Sequence, residues 1–280
     1  MDVMLVSSQS TKYVDGQIDR KNVRRYLEES EVISRMKIFK RVVVGILVVV
    51  LIGTIGLAVW GNDAYPPLQP ALDALQSDAQ VTVTQHAGFI TFEPVGVQPA
   101  TGFVFVPGGR VDYRVYSPAL HQIAAQGYFV AVVKVRINLA FFDLNAPERV
   151  ISQYPDIQHW IVGGHSLGGV AASSYVSKHL DTIEGLVIWA SYPGDDSLKN
   201  TDIKALTIYG TNNVDVDAGI DLARSRLPDS AQVITIEGGN HAQFGSYGPQ
   251  EGDQAADISA EEQWAQAVAA TVQFLDSLNK

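Results

Sequence analysis

The first strong signal along the chain is one unbroken apolar run. Residues 42–60 read VVVGILVVVLIGTIGLAVW, nineteen positions without a charge. At 1.5 Å of rise per residue such a helix reaches roughly 28 Å, about the hydrocarbon thickness of a bilayer. Only a helix lets a single segment satisfy its own backbone polar groups in lipid. Beyond the run, apolar and polar positions alternate over 81–86 and 89–92 on either side of Gly88, which predicts an antiparallel pair of strands. The pattern then becomes continuously apolar at 102–106, 128–135, 160–162, 186–189, 206–209 and 233–236, as strands covered on both faces read. Helix-like stretches separate them at 113–126, 145–152, 167–180, 217–227 and 259–278. The last opens with Ser259 and carries Glu262 three residues on, a capping box, and Pro228 closes the stretch before it. Strand alternating with helix predicts the α/β class, a mostly parallel sheet flanked by helices, with functional groups at the carboxyl ends of the strands.

Four segments follow from this pattern: a tail over 1–41, a transmembrane helix over 42–60, a Pro-rich linker over 61–70 unsuited to helix or strand, and one domain over 71–280. Trp60 closes the apolar run where an interfacial aromatic belongs, and Lys37, Lys40 and Arg41 stand just before it. That bias predicts a cytoplasmic N-terminus and a domain on the far side of the membrane. A bulky Trp60 where small residues would be needed argues against cleavage, so the run reads as a signal anchor. Met36, followed by Lys37-Ile38-Phe39-Lys40-Arg41, also reads as a natural start.

Charge narrows the partners. Residues 1–41 hold nine basic and six acidic side chains, leaving eleven basic and twenty-four acidic ones beyond. So acidic a domain would repel a phosphate backbone, which argues against nucleic acid. With no cysteine in the chain, a disulfide framework, a thiolate metal site and a cysteine nucleophile are excluded. The histidines show neither an H-x-x-x-H pair nor a carboxylate cluster, so no metal is expected.

Gly164-His165-Ser166-Leu167-Gly168 is a G-x-S-x-G pattern with an apolar strand before it and a small-residue helix after it. A sharp strand-to-helix turn would lift Ser166 above the sheet edge, with the Leu167 N–H at the helix start facing a developing oxyanion. A serine hydroxyl needs a base. His241, in the loop Glu237-Gly238-Gly239-Asn240-His241 after the last strand, is placed to swing back over the edge. His165 should point away at the turn, and His86, His121, His159 and His179 read as packing or surface. A third group, one that fixes the histidine tautomer and stabilises the imidazolium, belongs after the strand at 206–209, where the chain reads Gly210-Thr211-Asn212-Asn213-Val214-Asp215-Val216-Asp217.

With these motifs the domain resembles an α/β-hydrolase of the small, lid-less, dienelactone-hydrolase-like branch. The resemblance rests on Pro107-Gly108-Gly109-Arg110-Val111-Asp112, Gly163-Gly164-His165-Ser166-Leu167-Gly168-Gly169 and Gly238-Gly239-Asn240-His241-Ala242-Gln243-Phe244-Gly245, which together span most of 80–280. It implies a second oxyanion N–H from Gly109 or Arg110, with Gly109 favoured. It also implies Gly-Thr/Ser-x-Asp after the strand, and here Asn213 stands at the Asp position. The third member is then Asp215, with Asn213 itself and Asp195, beside Asp196, as alternatives. The connection 190–204 is too short for a helical lid, so an open site for a small or flexible ester is expected, with Phe141, Phe142, Phe244 and Tyr247 near enough to line it. The sequence thus points to a membrane-anchored serine hydrolase of an ester or related acyl bond, needing no cofactor. A tethered non-catalytic scaffold that lost its acid and an acyltransferase using the same serine stay open.

Overall fold

Eight strands make one sheet in the order β1-β2-β4-β3-β5-β6-β7-β8. The structure, a computed structural model, describes residues 20–278. The strands are β1 (Val81–Gln85), β2 (Phe89–Pro94), β3 (Thr101–Val106), β4 (Phe129–Val133), β5 (His159–His165), β6 (Ile183–Trp189), β7 (Lys204–Gly210) and β8 (Gln232–Ile236). β1 pairs antiparallel with β2, and β2 antiparallel with β4, whereas every pairing from β4 to β8 is parallel. The alternating segments are therefore the antiparallel edge, and the uniformly apolar ones are the parallel centre.

Two-residue periodicity splits the central strands between two cores. Phe103, Phe105, Ile161, Val187, Trp189, Leu206 and Ile208 face one side, where Leu120, Ile123, Trp264 and Phe274 cover them. Val104, Val106, Trp160, Val162, Leu186, Ile188 and Ala205 face the other, against Val150, Ala172, Tyr175 and Leu227. The helices supplying these covers are α3 (Ser117–Ala124) and α7 (Ala260–Leu278) for the first side, and α4 (Glu148–Ile151), α5 (Leu167–Val176) and α6 (Val216–Arg226) for the second. The capping box opens α7 as expected, with Glu262 accepting from the Ser259 N–H at 2.9 Å and Ser259 Oγ accepting from the Glu262 N–H at 3.2 Å. Two predicted helices are shorter than their patterns. The stretch 113–126 begins as a 3₁₀ turn at Tyr113–Tyr116 before α3, and 145–152 yields only the four residues of α4, just after Pro147.

The chain divides into one unit ending at Leu57 and another beginning at Ala58. Helix α1 (Arg20–Asn62) is 43 residues long, and its apolar part is long enough to cross a membrane by length and composition. None of that part is buried against protein, so it is not the core helix of a soluble fold. Its first turns carry ion pairs Arg24–Glu28, Arg25–Glu29 and Arg35–Glu31 at four-residue spacing, which turn the polar tail into regular helix from residue 20 onward. Residues 1–19 of the expected tail lie outside the described residues. The second unit corrects the linker reading. Tyr65 bridges to Val111, the Leu68 N–H donates to the Ser246 carbonyl, and α2 (Gln69–Asp73) forms with Pro70 in its first turn, where a missing N–H costs nothing.

Trp189, fully buried at the end of β6, packs on Phe105 at 4.6 Å between ring centroids and donates its indole N–H to Thr271 on α7. Trp189→Ala should cost about 3–5 kcal/mol, read as a lowered urea midpoint with unchanged m-value.

Candidate active site

Backbone strain is concentrated at one edge of the sheet. The non-glycine residues with positive φ are Arg110 after β3, Ile137 and Asn138 after β4, Ser166 after β5, Ala190 after β6 and Asp215 after β7. All follow the carboxyl ends of parallel strands, and such conformations cost about 1–3 kcal/mol each, held only where the surroundings over-determine them.

Ser166 has φ +52° and ψ −123° between β5 and α5. Its N–H donates to the Trp189 carbonyl at 3.0 Å, and its carbonyl accepts from Ser191 Oγ at 2.7 Å and from the Gly169 N–H at 2.9 Å. The turn can be this tight because Gly168 lies directly against the Val106 and Pro107 carbonyl oxygens, where a Cβ would collide. The same approach sets Gly109 beside Leu167, so close that a Cβ on Gly109 would stand 2.9 Å from Leu167 Cδ2. Leu167 N–H opens α5 and has no carbonyl four residues back in the helix. Between the two candidates for the second N–H, Arg110 spends its own on the Asn138 carbonyl at 2.8 Å, which leaves Gly109.

Arg110 ties this loop to residues 58–63 of the same unit. Its guanidinium lies 4.7 Å over the Trp60 ring and donates to the Trp60 carbonyl at 3.1 Å, the Asp63 carbonyl at 2.8 Å and Asp63 Oδ2 at 3.1 Å. Asn138 completes the tie by donating from Nδ2 to the Gly61 carbonyl at 3.2 Å.

Ser166, Leu167, Asn213, Asp215 and His241 line one cleft of about 490 Å³. Its apolar wall comes from Val170, Ala190, Val214 and Leu222, with Tyr192 and Tyr209 beside them. Asn213, 5% exposed, has Nδ2 3.4 Å from His241 Nδ1, while its Oδ1 accepts from the Gly210 N–H at 3.1 Å. Asp215 stands exposed at the N-terminus of α6 in the left-handed conformation. Asp195 and Asp196 are exposed, and Asp195 Oδ1 accepts from the Ser197 N–H at 3.0 Å. The connection from β6 to β7 carries no helix, in keeping with a lid-less opening.

The four aromatic side chains expected near the opening lie elsewhere. Phe141 and Phe142 are exposed on a 3₁₀ turn, whereas Phe244 and Tyr247 are buried in the core, Phe244 with its ring 5.7 Å from His165. The residues that do form the wall were legible only in part. Val170 falls one helical turn after Ser166, which period alone would have flagged, but nothing in the pattern marks Tyr192 or Leu222. A second recess of about 480 Å³ lies on the other side of the histidine loop, lined by Leu68, Ala255, Trp264 and neighbours, and Ser166 is not part of it.

His165 turns into the core and is fully buried there. The Gly108 N–H donates to the Tyr116 hydroxyl at 2.9 Å, and that hydroxyl lies 2.9 Å from His165 Nδ1. The His165 ring packs 4.6 Å from that of His241. Burial holds the His165 pKa well below its ordinary value, helped by the neighbouring His241, and burial also lowers that of His241 against an opposing pull from Asp253. The Asp253 carboxylate accepts from the Ala242 N–H at 2.7 Å and the His241 N–H at 3.4 Å. The other histidines stay outside the cleft: His86 stacks on Phe89, His121 faces Asp78, His159 contacts Glu184 and His179 Nδ1 meets the Tyr175 carbonyl. Among the described residues no cluster of His, Asp and Glu could hold a metal.

The alpha/beta hydrolase family model matches residues 102–265. Solved structures of similar fold include a thermostable esterase from Pseudomonas putida, with 13% identity and TM-score 0.53 over 74% of this chain and 88% of that one. An esterase/lipase from an uncultured bacterium gives 12% identity and TM-score 0.52 over 80% and 97%. The dienelactone hydrolase from Anabaena variabilis gives 17% identity and TM-score 0.51 over 71% and 97%. Curated proteins give no match.

A buried histidine, His165, and a half-buried one, His241, make stability depend on pH. In the unfolded chain each titrates near 6.5, whereas both folded values are lowered. Stability is therefore complete above about pH 6.5 and falls as pH drops toward the folded values, by about 1.4 kcal/mol per pH unit for each proton taken up on unfolding. Urea midpoints at pH 7.5, 6.5 and 5.5 should decline in that order, and His165→Gln should flatten the decline.

Proposed function

This chain belongs to the alpha/beta hydrolase family, and from that premise we propose that it is a membrane-anchored serine hydrolase of small carboxylic esters or related acyl bonds. The observation that carries the reading is the strained Ser166 sharing a cleft with His241, with the Leu167 and Gly109 N–H groups at the same turn. Ser166 is the nucleophile of a nucleophile elbow. Its Oγ bonds to the acyl carbon while His241 takes the hydroxyl proton, and the tetrahedral oxyanion rests on the two backbone donors. The histidine returns the proton to the departing alcohol. Water then repeats the sequence on the acyl-serine, restoring the hydroxyl and releasing the acid. Asn213 occupies the place of the triad acid, supported by its contact with His241 Nδ1, and Asp215 at the cleft margin supplies negative charge nearby.

The lid-less connection and the cleft of about 490 Å³ suit a small or flexible ester. Residues 42–60 anchor the chain as a single span, N-terminus in the cytoplasm by the Lys37, Lys40 and Arg41 bias, with the hydrolase domain outside. The presence of Asn213 where relatives carry a carboxylate favours a second reading, a tethered domain that keeps the fold and binds without turnover.

A fluorophosphonate probe separates the two. The full chain in detergent should label, and Ser166→Ala and His241→Ala should each remove labelling and p-nitrophenyl acetate hydrolysis while the fold, followed by circular dichroism, persists. A folded wild type that neither labels nor hydrolyses favours the binding domain.

A further inference from the structure

Asn213 differs from the carboxylate it replaces in one respect that decides where a proton sits. A carboxylate only accepts, so it holds the proton on histidine Nδ1 and leaves Nε2 free to take one from serine. An amide has one accepting end and one donating end, and its orientation here is imposed from outside the pair. The Gly210 N–H points at the amide at 3.1 Å and demands an acceptor, which makes that atom Oδ1. Rotating the amide would set an NH₂ group against that N–H in a buried position, leaving both donors unpaired. The other end, Nδ2, therefore faces His241 Nδ1 at 3.4 Å, and Nδ1 can only accept from it.

Resting on the hydrolase reading above, we infer that Asn213 is a positioning residue that holds His241 in the tautomer with its proton on Nε2, so that the site rests with its base blocked. In that tautomer Nε2 donates toward the cleft and cannot accept the Ser166 proton. The imidazolium needed after proton transfer would place Nδ1–H against the Nδ2–H of the amide, two donors facing each other. Turnover then requires the amide contact to break first. Its length, at the outer limit for a hydrogen bond, makes this a throttle on the reaction and leaves the nucleophile and oxyanion donors intact.

Other groups around His241 do not undo the effect. The His165 ring packs on it from β5 with Nδ1 at the Tyr116 hydroxyl and Nε2 without a hydrogen-bond partner among the described residues, so neither nitrogen is bonded to His241 Nδ1. Asp253 lies on the backbone side, accepting from the His241 and Ala242 N–H groups, and raises the basicity of the ring without reaching Nδ1 through a hydrogen bond. Asp215 borders the cleft from the start of α6. None of them competes with Asn213 for the Nδ1 position among the hydrogen bonds of the described residues.

The test is Asn213→Asp in the full chain, with wild type, Ser166→Ala and Asn213→Ala beside it. An aspartate keeps an acceptor for the Gly210 N–H and turns an acceptor toward Nδ1. Its introduction should raise kcat for p-nitrophenyl acetate by at least about tenfold, with the serine-protease comparison setting a ceiling of about 10⁴. The gain should appear in kcat, because residue 213 acts through its contact with His241 Nδ1. The acid limb of kcat/KM should move to higher pH, since a facing carboxylate favours the imidazolium. Asn213→Ala, which removes the amide without supplying a carboxylate, should not give that shift of the acid limb.

A direct reading needs no variant to be active. Histidine-selective ¹⁵N labelling of the wild type, with the His241 signals assigned by their loss in His241→Gln, should show a protonated Nε2 and a bare Nδ1 at pH 8, reversed in Asn213→Asp. A wild-type Nδ1–H signal, or an aspartate variant with unchanged kcat and acid limb, overturns the inference. Ser166→Ala that keeps wild-type hydrolysis overturns instead the hydrolase reading beneath it.

Discussion

The backbone contact between the β5–α5 turn and the end of β3 is the constraint on which the site depends. Gly168 sits against the Val106 and Pro107 carbonyls with no room for a methyl group. That approach lets a single residue, Ser166, make the reversal from strand to helix in a strained conformation. It also brings the Gly108-Gly109 loop up to Leu167, so that residues from separate strand ends stand side by side. A hydrogen bond to the Trp189 carbonyl and one from Ser191 Oγ hold the strained residue from the β6 side. Packing of the central strands thus stabilises a local geometry that would not persist in an isolated turn.

A second layer joins the two loops that face each other across the sheet edge. The Gly108 N–H, the Tyr116 hydroxyl and His165 form a buried chain, and the His165 ring then packs on His241. The pairing ends at His165 Nδ1, because His165 Nε2 is buried without a hydrogen-bond partner among the described residues and ring packing carries the link from there. The oxyanion loop and the histidine loop are therefore held in register through the residue that precedes the serine. G-x-S-x-G is usually considered for its serine and glycines, but in this chain its second position is a strut.

Much of this was legible in residue order. Continuous apolar runs marked the central parallel strands because both faces are covered, and alternation marked the β1–β2 pair because one face of β1 is not. Ser166 and His241 were recognisable because each falls in a loop whose glycines permit close backbone approach. Readings failed where local pattern was overruled by distant packing. Pro66 and Pro67 suggested a linker unsuited to helix or strand over 61–70, yet Tyr65 and Leu68 find backbone partners more than forty residues away. Phe244 and Tyr247 lie in a polar, glycine-rich loop that suggested a pocket lining, but their rings fill the core beneath it. The direction of the Asn213 amide was beyond reach, since it depends on an N–H three residues earlier being turned inward.

The tie from Arg110 to Trp60 and Asp63 bears on where the chain could be cut ahead of the second unit. Cutting at or after Trp60 would strip the Arg110 guanidinium of its stacking face and a carbonyl acceptor, leaving the left-handed residue next to Gly109 with fewer contacts. A cut upstream of Ala58 spares both. A cut that preserves the tie must therefore keep the final turn of the apolar helix with the second unit, leaving an indole close to the new amino end.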